Sequence, residues 1–252
     1  CKAATGEALD RAGMRRESLG PRVGVCMGTT VACQLNDLDF YAAYRQTGSA
    51  SMASVNRYLK GNLAEAIAHQ VGATGPSATV VNACSSSTDA IGMGMLWIRS
   101  GVCDVVIAGG ADELNRIPLC GFHSLSIMSP EVCRPFDRDR QGLNLGEGAG
   151  VIILESLSHA TRRGCSPGMS LAGYASACDA YHLTAPRPDG SGLEQAIRKA
   201  MAMAGIRPEA LALDPLRPPG SSRPPSSPDR KISPASAHRA ERRGGNPCRR
   251  NP

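Results

Sequence analysis

Val80-Val81-Asn82-Ala83-Cys84-Ser85-Ser86-Ser87-Thr88-Asp89 joins a short β-branched run to a stretch of small and apolar residues, 90–98, that reads as a buried helix. The residue at the junction is a cysteine. A thiol at a helix N-terminus faces backbone N–H groups without intrahelical partners and the positive end of the helix dipole. Both favour thiolate over thiol, which makes Cys84 a candidate activated nucleophile, expected directly after a central strand with its sulfur in a cleft. The plainer alternative for the same residue is a buried structural thiol.

Outward from this junction, short apolar runs alternate with helical patterns. Residues 78–82 predict the strand that leads into Cys84. Further strands are expected over 23–27, 104–108, 150–155 and 170–176. Helical spacing covers 3–14, 158–163 and 192–204, and it covers 54–71, where Leu59, Leu63 and Ile67 fall on one face. Residues 36–51 are mixed and polar, as in a surface excursion. Strands apolar on both faces and separated by helices predict an α/β protein with helices covering a sheet.

Five blocks follow Cys84 in a recognisable series: Asp104-Val105-Val106-Ile107-Ala108-Gly109-Gly110-Ala111-Asp112, Gly121-Phe122, Arg134-Pro135-Phe136-Asp137-Arg138-Asp139-Arg140, Gly146-Glu147-Gly148-Ala149-Gly150 and Asp179-Ala180-Tyr181-His182-Leu183-Thr184-Ala185-Pro186. Together with Ala83-Cys84-Ser85-Ser86-Ser87 they resemble the β-ketoacyl-acyl-carrier-protein synthases, the condensing enzymes of fatty-acid and polyketide synthesis. The resemblance covers residues 1 to about 213. It implies the thiolase-like fold, a layered α-β-α-β-α sandwich of two similar halves. On that basis residues 1–157 are the N-terminal half and 158–213 the start of the C-terminal half. The expectation is an incomplete chain, lacking the extreme N-terminus and most of the second half.

What the family does sets the further expectations. An acyl group passes from acyl carrier protein to the cysteine, here Cys84, as a thioester. Malonyl-carrier protein then loses carbon dioxide, and the resulting carbanion attacks that thioester. The resemblance makes Cys84 the catalytic residue and its backbone N–H one oxyanion donor. It makes Phe122 a substrate-binding residue of the acyl pocket. It calls for no cofactor and no metal. It implies a homodimer or a synthase heterodimer, joined through the strand at 78–82. Ser85-Ser86-Ser87 is a form seen in polyketide-type members. Two histidines, a lysine and a glycine-rich Phe loop complete the family's site in its second half. His69, His123, His159, His182 and His238 match neither histidine motif, so the chain as it stands is expected to be inactive in condensation. The rivals are a non-catalytic partner subunit resembling chain-length factors, against which Cys84 argues, and a thiol hydrolase of another α/β family, for which no His and acidic block is found.

The remaining signals are mostly exclusions. Residues 215–252 hold 9 of the 28 lysines and arginines and only 2 of the 22 acidic residues, so the net charge of +6 belongs to the tail and gives the body no case for nucleic acid. That tail also holds 9 of the 18 prolines. It reads as a Pro/Arg/Ser-rich disordered linker over 214–252 or as an out-of-frame translation, with a nucleic-acid-binding arm as the third option. Ten cysteines without C-x-x-C or zinc spacing predict mostly buried free thiols in a reducing, cytoplasmic setting. No apolar run approaches the roughly 18 residues of a membrane span, and no secretory signal is recognisable. Gly146 to Gly150 precedes a strand instead of following one, so it fails as a phosphate loop and reads as tight turning and close packing. The run Arg134 to Arg140 reads as a structural loop near the site entrance.

Overall fold

The computed structural model describes residues 1–14, 19–20, 22–30, 38–60, 62–166, 168–182 and 184–210, with the side chains of 57–60 outside the description. The tail over 214–252 lies outside the described residues. Residues 1–169 contain one sheet and the helices that cover it. The sheet has the order β2-β1-β3-β4, from β1 (Val23–Gly28), β2 (Ser77–Val80), β3 (Val105–Asp112) and β4 (Gly148–Glu155). β1 pairs in parallel with β2 and with β3, while β4 runs antiparallel to β3.

The period-2 alternation of β1 and β3 sorts their side chains into two cores. Val23, Val25 and Met27 of β1, with Val105 and Ile107 of β3, face one side. There they meet Leu9 from α1 (Lys2–Arg11) and Ala64, Ile67, Ala68 and Val71 from α4 (Leu63–Val71). Cys26, Val106 and Ala108 face the other side, against Ala90, Ile91 and Trp97 of α5 (Ser86–Arg99). Each of the large aliphatic side chains buried in this way contributes roughly 1.5–3 kcal/mol. The result is an α/β arrangement with helices on both faces of the sheet. Because β2 and β3 flank β1, α5 must cross over β1 to connect them, and this crossing fixes the position of Cys84.

Several expectations change in detail. The helical pattern at 54–71 is two helices, α3 (Ala53–Lys60) and α4, and Asn62 caps the second by accepting from Glu65 N at 3.0 Å. The supposed surface excursion contains α2 (Leu38–Thr47), on which Phe40 and Tyr44 stack at 6.0 Å, one helical turn apart. Gly148 and Gly150 belong to β4 and leave no tight turn. The close approach lies instead at Gly109, where a Cβ would sit 2.1 Å from Gly150 O. β4, the last strand of the described sheet, is half-exposed, with Ile152 open to solvent. Of the seven cysteines that are free among the described residues, only Cys26 and Cys103 are buried, and Cys165 is disulfide-bonded. The expectation of mostly buried free thiols therefore does not hold.

α6 (Arg116–Ser124) and α7 (Leu157–Arg162) are the remaining α-helices among the described residues of 1–169. After α7, Glu155 forms a bidentate pair with Arg163, Nε to Oε1 at 2.6 Å and Nη2 to Oε2 at 2.8 Å. His159 Nδ1 lies 2.5 Å from Glu155 Oε1, and Arg163 Nη1 donates to Ala12 O at 2.9 Å. This cluster ties α7 and β4 to the end of α1. Partial burial alone would push the Glu155 carboxyl up, but the hydrogen bonds from Arg163 and His159 outweigh it and hold it below its ordinary value.

Within residues 170–210, α8 (Ser191–Ala204) has the expected amphipathic pattern. Residues 170–176 are not a strand, since no described strand lies beside them to complete a ladder. Asp179 Oδ2 accepts from Arg187 N at 2.8 Å, and His182 Nδ1 accepts from the backbone N–H groups of Thr184 and Ala185, each at 3.1 Å. His182 is thus occupied as a loop brace. Among the described residues no helix is long and apolar enough to cross a membrane.

Candidate active site

β2 ends at Val80, short of the expected Asn82, and it is an end strand of the described sheet where a central one is expected. Thr29 N donates to Val80 O at 3.1 Å, and Asn82 N–H is taken by Ser86 Oγ at 2.7 Å. Ser86 Oγ in turn donates to Ala83 O at 2.6 Å, and Ser86 is buried. Between these two bonds the backbone of Ala83 adopts φ +47°, a left-handed conformation that L-residues rarely hold unless the surroundings impose it. The chain therefore leaves the sheet through a sharp, strained turn. Cys84 lies at its outer corner, two residues before the first residue of α5. The thiol is exposed, so the alternative of a buried structural cysteine fails.

The start of α5 rests directly on backbone. A Cβ on Gly28 would lie 2.3 Å from Ser86 C and 2.4 Å from Ser87 N, and a Cβ on Gly110 would lie 2.0 Å from Ser87 Oγ. These glycines end β1 and sit near the end of β3, so the absence of their side chains lets the turn settle onto the sheet.

Polar side chains hold the turn from its outer side. Asn82 Nδ2 donates to Asp89 Oδ2 at 2.7 Å, and Ser85 Oγ lies 2.8 Å from the same oxygen and 2.9 Å from Asn82 O. Asp89 is in the first turn of α5, a favoured place for a carboxylate.

Cys84 opens on a cleft of about 310 Å³ whose walls include Thr30, Asp112, Leu114, Pro118 and Phe122. Pro118 and Phe122 are four residues apart on α6 and therefore share one face. Asn115 caps this helix, its side chain accepting from Ile117 N at 2.9 Å. Thr30 is held by Asp112, which accepts from Thr29 Oγ1 at 3.0 Å, Thr30 N at 2.7 Å and Thr30 Oγ1 at 3.0 Å. No histidine is among the described residues lining the cleft.

The structure thus brings together the two residues singled out from sequence, Cys84 and Phe122, from elements 38 positions apart in the chain. The sequence does not mark the strained Ala83, the Asn82-Ser85-Asp89 cluster or the Asp112 brace as parts of the site. A first-turn carboxylate four residues beyond a serine N-cap was the available signal for Asp89. Nothing in sequence marks Asp112 as the partner of Thr30, since their pairing depends on β1 lying beside β3. The run Arg134 to Arg140 is a self-bonded loop, with Arg134 Nη2 donating to Asp139 O at 2.9 Å and Arg140 Nη1 to Asp137 O at 3.0 Å. None of its residues lines the cleft.

Comparison with known proteins adds to this geometry. Residues 1–160 match the family described as Beta-ketoacyl synthase, N-terminal domain, and residues 169–213 match Beta-ketoacyl synthase, C-terminal domain. The chain is 33% identical over 214 residues to the tetracenomycin polyketide synthase ketoacyl synthase alpha subunit of Streptomyces glaucescens, covering 79% of this chain and 50% of that protein. It is 38% identical over 149 residues to 3-oxoacyl-[acyl-carrier-protein] synthase 2 of Synechocystis sp., covering 56% of this chain and 36% of that one. Among solved structures it resembles the ishigamide ketosynthase/chain length factor, with a TM-score of 0.73 at 35% identity over 82% of this chain and 52% of that one. A type II polyketide synthase acyl-carrier protein in complex with its ketosynthase matches with a TM-score of 0.70 at 28% identity, over 82% and 54% of the two chains. The chain spans about half the length, or less, of the relatives it matches.

Proposed function

The chain belongs to the β-ketoacyl synthase family, and from that premise we propose that it carries the acyl-accepting part of a condensing-enzyme site, with Cys84 as nucleophile and Phe122 in the acyl pocket. Its fold is the thiolase-like α/β fold of that family. One observation carries the proposal: an exposed thiol on a strained strand-turn-helix junction opens on a cleft walled by Leu114, Pro118 and Phe122.

The chemistry is thioester exchange. The Cys84 thiolate attacks the thioester carbonyl of an acyl group on acyl carrier protein. A new carbon–sulfur bond forms, the bond to the carrier's sulfur breaks, and the carrier leaves as a thiolate. Leu114, Pro118 and Phe122 offer apolar surface to the acyl chain, which excludes water from the thioester. Decarboxylation of a malonyl thioester needs further donors for the enolate oxygen. The described cleft has no histidine for that task, so the proposal assigns this chain acyl acceptance alone. In the full synthase reaction the product is a β-ketoacyl thioester of fatty-acid or polyketide synthesis.

Residues 1–157 then act as the N-terminal half and 158–213 as the opening of the C-terminal half. β2 is the end strand of the described sheet, a position suited to pairing with a second synthase subunit, identical or not. The same proposal includes a cytoplasmic location for the reaction. A chain-length-factor-like role is the alternative, and the presence of Cys84 argues against it.

The test is to incubate the purified chain with acyl-carrier protein and map acylated cysteines by mass spectrometry. Acyl mass on the Cys84 peptide, absent from Cys84→Ala, is expected. Label spread evenly over Cys84, Cys120 and Cys178 would overturn the proposal.

A further inference from the structure

We propose that Asp89 is a positioning residue for the Cys84 thiol, an inference that rests on the acyl-acceptor reading of Cys84. The basis is where its carboxylate reaches. Oδ2 accepts from Asn82 Nδ2 at 2.7 Å and lies 2.8 Å from Ser85 Oγ. Asn82 is two residues before Cys84 and Ser85 is one residue after it, so one oxygen atom grips both sides of the nucleophile. Between the two grips lies Ala83 at φ +47°. A backbone in that conformation persists only where its neighbours over-determine it.

Two side chains share the restraint, and they act differently. Ser86 is buried and holds backbone groups, Asn82 N and Ala83 O. It is bound up with folding of the turn itself. Asp89 is only half-buried and holds side chains. Ser85 Oγ has a single proton and two acceptors within reach, Asn82 O and Asp89 Oδ2. The charged acceptor draws that proton more strongly, which orients Ser85 and with it the peptide that follows Cys84. Loss of the charge leaves a neutral amide oxygen, a weaker acceptor for Ser85 Oγ and Asn82 Nδ2, so Ser85 can turn to Asn82 O and the outer clamp loosens while the helix and sheet remain.

A purely electrostatic role for a carboxylate would have the opposite sign: a negative charge in general disfavours a thiolate, so its removal would by itself speed reaction at neutral pH. Positioning and simple electrostatics therefore predict changes in opposite directions, and a pH profile separates them. Positioning acts on the plateau reached when the thiolate is fully formed, whereas a charge effect moves the midpoint.

The experiment follows acylation of Cys84 in the full chain by a short-chain acyl-pantetheine thioester, and its alkylation by iodoacetamide, from pH 6 to pH 10. It compares wild type, Asp89→Asn and the exchanged pair Asn82→Asp/Asp89→Asn. The plateau acylation rate of Asp89→Asn is expected to fall about tenfold or more, since misplacement of a reacting group by an ångström can cost 10²-fold. The exchanged pair keeps one amide and one carboxylate facing each other, and most of the rate is expected to return. A plateau in Asp89→Asn equal to or above that of wild type overturns the proposal. If Asp89→Asn loses its cooperative melt, the exchanged pair carries the test: a restored melt with a restored rate supports positioning, and a restored melt with a slow thiol overturns it. A wild-type Cys84 that reacts no faster than Cys120 or Cys178 overturns the acyl-acceptor reading and this inference with it. A fast wild type with an unaffected Asp89→Asn overturns this inference alone.

Discussion

The contact between Gly28 and the start of α5 gives a prediction whose sign and size follow from the structure. Consider Gly28→Ala. The added methyl would lie 2.3 Å from Ser86 C, 2.4 Å from Ser86 O and 2.4 Å from Ser87 N. Ordinary carbon contacts are at about 3.5–4.0 Å, so the first turn of α5 must move by about 1 Å or more. All the opposing atoms are backbone, and no flexible side chain can absorb the shift. Overpacking of this kind typically costs about 1–3 kcal/mol. For a chain of this size that lowers the melting temperature by about 2–12 °C. Because Cys84 lies on the displaced turn, its acylation should fall by up to about 10²-fold. Gly6→Ala is the matched control. Gly6 lies inside α1, and a Cβ there meets nothing within 4 Å. The same substitution should stabilise the protein by about 0.5–1 kcal/mol through helix propensity, with no change at Cys84. The assay is thermal melting by circular dichroism, paired with the rate of Cys84 acylation by an acyl-pantetheine thioester. If Gly28→Ala melts and reacts like wild type, α5 does not rest on the end of β1 and the account of how the turn is positioned is wrong.

Three further predictions concern other parts of the molecule. Glu155→Gln should cost about 1–3 kcal/mol at neutral pH, because it replaces the bidentate carboxylate facing the half-buried Arg163 guanidinium by a neutral amide with one acceptor oxygen. The Glu155 carboxyl titrates below its ordinary value in the folded state, so its contribution is full above that ordinary value and is lost as pH falls through the folded one. Urea melts at pH 7 and pH 3 should therefore separate the variant from wild type at pH 7 and bring them closer at pH 3. Val81→Lys, at an exposed position beside the end strand β2, should reduce self-association of the chain, read by light scattering, without changing its far-UV spectrum. Finally, the 252-residue chain given acyl- and malonyl-carrier protein together should accumulate acyl-Cys84 and release no β-ketoacyl product detectable by mass spectrometry. Turnover at the rate of an intact synthase would show that other donors in this chain stabilise the enolate.

The sequence by itself determined the strand-turn-helix at Cys84, the α/β class and the family. All three rest on patterns confined to a few neighbouring residues: a β-branched run, a reactive residue at a helix start, and blocks of fixed local composition. It also pointed to Cys84 and Phe122 separately. It could not determine α2, where the aromatic pair Phe40 and Tyr44 outweighs a mixed local pattern, or the absence of a strand at 170–176, since strand formation depends on a neighbour that periodicity does not reveal. The tertiary structure alone decided that Cys84 and Phe122 share a cleft, that Gly28 and Gly110 form the floor beneath the nucleophile turn, and that Asp112 holds Thr30 in the cleft wall. The physical reason is the same in each case. These contacts form only when α5 crosses β1 to join β2 to β3, and that crossing brings together backbone segments whose separation along the chain carries no local trace of their meeting.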